Sequence, residues 1–230
     1  MNTRDDRSAM VRTQLEQRGI RDSQVLDAMA YVPRHLFVPE AARRRAYGDH
    51  ALPINEGQTI SQPFIVALMA QALRLAPRER VLDIGTGSGY AAAVLSLLVG
   101  EVYTIERKPA LAEEAERRLH QLGYTNVHVI TGDGTLGLPE YAPYDGIAVS
   151  AAAPWVPLPL RQQLGEGGRL VIPVGGRDTQ LLLRLTRTNH QIYTERLGEV
   201  RFVPLLGAHA WQPAGSSIPA DDEPAPDARP

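Results

Sequence analysis

The chain has no cysteine among its 230 residues. Disulfides, thiolate nucleophiles and cysteine-ligated metals are therefore excluded. Net charge is nearly absent too: 24 basic residues stand against 26 acidic ones, a formal balance of -2. That leaves no electrostatic footprint for nucleic acid or an anionic membrane. The only dense basic cluster, Arg43-Arg44-Arg45, reads as a solvated helix end. No apolar run approaches the ~20 residues a membrane-crossing helix needs. Met1 to Ser8 is polar, so no signal peptide is expected there and the expected location is cytoplasmic. The six histidines show no H-x-x-x-H spacing and no carboxylate cluster beside them, so no metal site is expected. Ser88 lacks the glycine two positions earlier that a nucleophile elbow requires.

What the chain does have is Arg80-Val81-Leu82-Asp83-Ile84-Gly85-Thr86-Gly87-Ser88-Gly89-Tyr90. An apolar strand runs into three glycines spaced two apart, and a helix-like apolar run follows. Such a turn brings bare backbone against a nucleotide-like ligand at the carboxyl end of a strand. The dinucleotide fingerprint G-x-G-x-x-G would need a glycine at position 90, where Tyr90 stands. G-x-G-x-G after a strand ending in an acid is instead similar to the first motif of the class I methyltransferases, which bind S-adenosylmethionine.

Around this motif the pattern alternates. Strands are expected at 80–84, 101–106, 126–131, 145–150 and 168–174, with helices near 89–99, 108–122, 135–141 and 158–164. Alternation of this kind implies right-handed crossovers and a parallel sheet covered on both faces. Two β-rich runs, Leu181–Thr186 and Gln191–Val203, joined at Asn189-His190, predict a closing antiparallel hairpin. Residues 5–46 read as helical, interrupted at Gly19 and recapped by Asp22 or Ser23. Pro53 to Pro63 reads as a polar loop and Phe64 to Leu75 as a helix, for which Ser61 would serve as cap. Three regions follow: a helical extension over 1–79 carrying the loop 53–63, a core over 80–211, and an acidic, proline-rich tail over 212–230. The tail cannot bury a core and is expected to be disordered.

In an open α/β sheet, ligands bind beyond the carboxyl ends of the strands. The second core strand ends in Glu106, 21 positions beyond Gly85, where a carboxylate can accept from both hydroxyls of a ribose. The third runs into Gly132-Asp133-Gly134, an acid able to approach an adenine amino group. The fourth ends in Ser150-Ala151-Ala152-Ala153-Pro154. It lacks the Asn/Asp-Pro-Pro-aromatic motif of amino-group methyltransferases, which argues against nucleobase or glutamine nitrogen as the methyl acceptor.

Several separated segments then agree. Val32-Pro33-Arg34-His35-Leu36-Phe37-Val38, Gly57-Gln58-Thr59-Ile60-Ser61-Gln62-Pro63, Val81 to Tyr90 and Gly132-Asp133-Gly134 together resemble the protein-L-isoaspartate O-methyltransferase family. So do Ala142 to Asp145, Leu164 to Gly175 and Arg201-Phe202-Val203-Pro204-Leu205. The resemblance covers about residues 8 to 211. It implies a Rossmann-like, doubly wound, mostly parallel seven-stranded sheet with a C-terminal antiparallel hairpin and an N-terminal helical extension. It implies S-adenosylmethionine as cofactor, no metal, and S-adenosylhomocysteine as product. Ser61 would be the active-site residue. Gln58, Thr59, Ile60, Asp83, Gly85, Thr86, Gly87, Gly89, Glu106, Arg107, Asp133 and Gly134 would hold the cofactor. Thr59, Val203, Pro204 and Leu205 would hold the substrate. The implied partners are damaged proteins and peptides containing isoaspartate, met by a monomer. Open alternatives are an O-methyltransferase acting on a small-molecule carboxylate, a non-catalytic relative that only binds the cofactor, and a nicotinamide-dependent oxidoreductase.

Overall fold

A computed structural model describes residues 3–212. The expected disordered tail lies, apart from Gln212, outside the described residues. The N-terminal region is built of short helical pieces. Helix α1 (Thr3–Ala9) passes into a π turn and a 3-10 turn, and Gly19 ends the run with a left-handed φ of 101°. Helix α2 (Ser23–Tyr31) is capped by Asp22, whose side chain accepts from the N–H groups of Gln24 and Val25. The proline-bracketed segment then forms a 3-10 turn, Arg34–Phe37. Arg34 is fully buried, donates from Nε to Ala46 O at 2.8 Å and lies 4.8 Å from the Tyr90 ring centroid. One resembling segment is thereby packed against the helix that follows another.

Strands β1 (Leu52–Pro53) and β2 (Thr59–Ile60) pair antiparallel, so the segment read as a plain loop is a small hairpin. Helix α3 (Pro63–Leu73) follows, ended by Arg74 at a left-handed φ of 49°. Ser61 does not cap it; the residue before the helix is Gln62.

The main sheet contains β3 (Arg80–Ile84), β4 (Glu101–Glu106), β5 (Val127–Thr131), β6 (Tyr144–Val149), β7 (Leu164–Gly175), β8 (Gln180–Thr188) and β9 (Gln191–Val200). Its order is β5-β4-β3-β6-β7-β8-β9, parallel from β5 through β7 and antiparallel across β7-β8-β9. The expected hairpin closes the sheet. Asn189 and His190 both take positive φ, 52° and 63°, as a tight hairpin turn demands. Helices α4 (Tyr90–Ser96), α5 (Pro109–Gln121) and α6 (Leu158–Gln163) make the crossovers.

Alternating side chains divide the core into two layers. Val81 and Val102 face α3 and α4, whereas Leu82, Ile84 and Ile105 join Leu160 of α6 on the other side. The helix expected over 135–141 is instead two 3-10 turns, Gly134–Leu136 and Pro139–Tyr141. Gly137, at φ 65°, and Pro139 break it between them. Among the described residues, no helix is long and apolar enough to cross a membrane.

Candidate active site

The glycine turn explains its own composition. Gly85, Gly87 and Gly89 all sit at positive φ, 93°, 53° and 86°, where side chains strain the backbone. They serve different ends. Gly85 and Gly87 line a cavity of about 650 Å³ beside the carboxyl ends of β3, β4 and β6. Gly89 packs on α5 instead: a Cβ there would stand 3.2 Å from Leu119 Cδ1.

The strand-end acids also separate. Glu106 is buried and lines the cavity. Its Oε2 accepts from the Gly87 N–H at 2.9 Å and its Oε1 from the Lys108 N–H at 3.0 Å. Asp83 lies beneath the turn, wholly buried and outside the cavity. It accepts from Thr104 Oγ1 at 2.8 Å, and Thr104 in turn bonds Thr86 Oγ1 at 2.7 Å. Its second oxygen has no partner. Burial pushes the Asp83 carboxyl up to about 7; the Thr104 hydrogen bond pulls it down and the Glu106 charge adds to the rise. Asp83 and Thr86 therefore support the turn from below. Asp133 is not among the residues lining the cavity: Oδ1 accepts from Thr135 and Oδ2 from the Ala208 N–H at 2.8 Å, while Gly134 forms the wall.

The hairpin β1–β2 closes the cavity from the other side. Gln58 and Thr59 line it, whereas Ile60 is buried in the core. The hairpin's tip is strapped to α5. Asn55 Nδ2 donates to Glu114 Oε2 at 2.7 Å, and Glu56 stands 3.5 Å from Lys108 Nζ. Arg107, Val203, Pro204 and Leu205 complete the predicted residues found here. The last three are stitched to the sheet: Ala152 N–H donates to Val203 O at 2.8 Å, and Leu205 N–H to Ala152 O at 2.7 Å.

Ser61 is not in this cavity. It lines a second one of about 830 Å³, with Thr59, Phe202, Val203 and Pro204 as neighbours and Arg177, Asp178, Glu199 and Arg201 at its rim. Four residues wall both spaces: Thr59, Ser150, Val203 and Pro204. The two chambers thus adjoin, with Ser61 on one side and the glycine turn on the other. Ser150 is the member that sequence reasoning passed over. Its segment stands out in sequence only for the motif it lacks, and no local signal marks a strand-end serine as lining two chambers.

The first chamber has the size of a small-molecule site. Bare glycine backbone, a carboxylate and the apolar walls Ile84, Ile105 and Pro109 suit a nucleoside-bearing ligand. An open, mostly parallel sheet that takes such a ligand at its switch point, beside a G-x-G-x-G turn, is the build of a class I methyltransferase. Comparison with known proteins narrows the class. The family model described as Protein-L-isoaspartate(D-aspartate) O-methyltransferase matches residues 5–210, and the chain belongs to that family. The family uses S-adenosylmethionine. The chain is 64% identical over 211 residues to a protein-L-isoaspartate O-methyltransferase of Roseiflexus sp. (strain RS-1), covering 92% of this chain and 96% of that one. It is 61% identical to Protein-L-isoaspartate O-methyltransferase 2 of Marinobacter nauticus, over 90% of this chain and 95% of the relative. A solved protein-L-isoaspartate O-methyltransferase superposes with a TM-score of 0.78 at 32% identity, over 87% of this chain and 66% of that one. A Plasmodium falciparum chain assigned to the same activity, in complex with S-adenosyl-L-homocysteine, gives 0.75 at 28% identity, over 87% and 98%.

Proposed function

We propose that this chain methylates the free carboxylate of L-isoaspartyl residues, and of D-aspartyl residues, in damaged proteins, and that Ser61 holds that carboxylate during transfer. The observation that carries this reading is the pair of adjoining chambers, with Ser61 on the far side of the junction from the glycine turn and Thr59 at the junction itself. The products are a methyl ester and S-adenosylhomocysteine. The ester then closes to a succinimide without the protein's help: the following backbone amide nitrogen attacks the ester carbonyl, and the C–O bond breaks to release methanol, which takes up the amide proton.

The chemistry asks little of ionisable groups. A carboxylate with a reference pKa near ~4 is already the nucleophile at neutral pH. S-adenosylmethionine, when bound, supplies a methyl group activated by a sulfonium centre. What remains is alignment and the exclusion of water. The hydroxyls of Ser61 and Thr59 donate hydrogen bonds to the carboxylate without ionising. Val203 and Pro204 form a dry wall across the junction, and Ser150 faces them. On the cofactor side, Glu106 accepts from ribose hydroxyls through the lone pairs that Gly87 and Lys108 leave open. Gly85, Gly87, Gln58, Thr59, Arg107 and Gly134 complete that site. Asp83, Thr86 and Gly89 shape it from behind. The substrate rim carries charges of both signs, which suits peptides of varied sequence around one common defect. We place the protein in the cytoplasm as a monomer, with residues 1–79 serving as a helical extension that carries the active-site loop 53–63 beside the 80–211 core.

Replacing Ser61 with alanine tests the assignment. With an isoaspartyl peptide, kcat should fall about 10- to 100-fold, the worth of a hydrogen bond to a charged group. Affinity for S-adenosylhomocysteine should be unchanged. An undiminished kcat would remove Ser61 from the mechanism.

A further inference from the structure

Helix α3 has no cap of its own. Gln62 makes no side-chain bond to the first turn, and Pro63 brings no N–H. The cap comes from Asp49, well outside the helix. Its Oδ1 accepts from the Phe64 N–H at 3.4 Å, and its Oδ2 accepts from Gln62 Nε2 at 2.6 Å. Arg18 pairs with the same Oδ2 and lays its guanidinium 3.8 Å from the Phe64 ring centroid. One carboxylate therefore ties down the residues on both sides of Pro63. It also places negative charge at the positive end of an 11-residue helix.

Ser61 stands directly before Gln62. Among the described residues, its own hydroxyl makes no hydrogen bond. No side-chain hydrogen bond of its own fixes it, and both residues that flank it are anchored. Ile60 is buried and paired with Leu52 on one side. Gln62 is held by Asp49 on the other. Ser61 hangs between these two anchors, facing the second chamber.

We propose that Asp49 is a positioning residue for methyl transfer, holding Gln62 so that the Ser61 hydroxyl meets the substrate carboxylate. The inference rests on the assignment of Ser61 made above. Asp49 lines neither chamber, so it acts through Gln62 and the start of α3.

The test compares Ser61→Ala, Asp49→Ala, Asp49→Asn, Gln62→Ala and the Ser61→Ala/Asp49→Ala double variant in the full chain. The readouts are kcat and KM for an isoaspartyl peptide and Kd for S-adenosylhomocysteine. Asp49→Ala and Gln62→Ala should each lower kcat about tenfold, the scale on which loss of alignment acts. Cofactor affinity should stay unchanged. Asp49→Asn keeps an acceptor for Gln62 and should recover most of the rate. In the Ser61→Ala background, Asp49→Ala should cost less than about twofold, because the group it positions is gone. If Asp49→Ala does not fold, Gln62→Ala carries the test through a Ser61→Ala/Gln62→Ala double variant: Gln62 lines the second chamber itself, and only a loss that vanishes in the Ser61→Ala background acts through Ser61. Undiminished kcat in Asp49→Ala or Gln62→Ala overturns the inference. So do fully additive losses in the double variant, or a parallel loss of cofactor affinity. An unimpaired Ser61→Ala overturns the assignment on which the inference rests.

Discussion

The backbone N–H of Gly87 donates to the carboxylate of Glu106 at 2.9 Å. The glycine turn and the strand-end acid are therefore one unit, with Glu106 held open toward the cofactor chamber between Gly87 and Lys108. Changing Glu106 to glutamine keeps its shape but turns an amide –NH2 toward a backbone donor. Affinity for S-adenosylhomocysteine, measured by calorimetry, should drop about 10- to 100-fold, as expected for a lost bond to a charged group. KM for the peptide should stay put.

Ser150 gives a steric prediction. Its side chain stands where Thr59, Val203 and Pro204 border both chambers. Ser150→Val fills that junction. It should lower kcat by about 10- to 100-fold, because misplacement of this size breaks alignment. Ser150→Ala leaves the passage clear and should retain most of the rate. Equal activity in the two variants would show that the methyl group does not cross there.

Asp83 gives a pH prediction. Its carboxyl is raised from the ordinary carboxylate value of 3.8 to about 7 in the folded chain, chiefly by burial. The folded state therefore binds the proton more tightly than the unfolded state does. The stability this contributes is fully present below pH ~4 and is lost as pH rises through about 7. Asp83→Asn removes that loss. The melting temperature of the variant relative to the parent should climb between pH 4 and pH 8, by a few degrees for each ~1–2 kcal/mol recovered. A pH-independent difference would contradict the buried, unpaired oxygen as its cause.

The strap over the cofactor chamber predicts a kinetic effect. Asn55 is tied to Glu114 across the glycine turn. Asn55→Ala should speed dissociation of S-adenosylhomocysteine about two- to tenfold, the range of one hydrogen bond. Stopped-flow displacement reads this directly. An unchanged rate would mean that the hairpin tip does not gate release.

What was legible in the sequence was local. Gly85, Gly87 and Glu106 stand at strand ends, where motif spacing and strand periodicity agree, and they line the chamber as expected. The closing hairpin was legible for the same reason: Asn189-His190 lies between two β-rich runs. What escaped depends on distant partners. Asp133 accepts from the Ala208 N–H, 75 residues later, a partner that its neighbouring glycines do not reveal. Helix α3 takes its cap from Asp49 rather than from Ser61, because a carboxylate brought in by tertiary packing reaches the Phe64 N–H. Ser150 lines two chambers only because the sheet order sets β6 beside β3. The family resemblance supplies Ser61, which spacing alone favours as a helix cap.

The central claim is that the second chamber receives an isoaspartyl carboxylate. Two peptides of one sequence, containing L-isoaspartate or L-aspartate at a single position, should be incubated with the protein and methyl-labelled S-adenosylmethionine. Base-labile methyl esters should form on the isoaspartyl peptide and at background level on its normal counterpart. Equal labelling of both peptides, or labelling of neither, would contradict it.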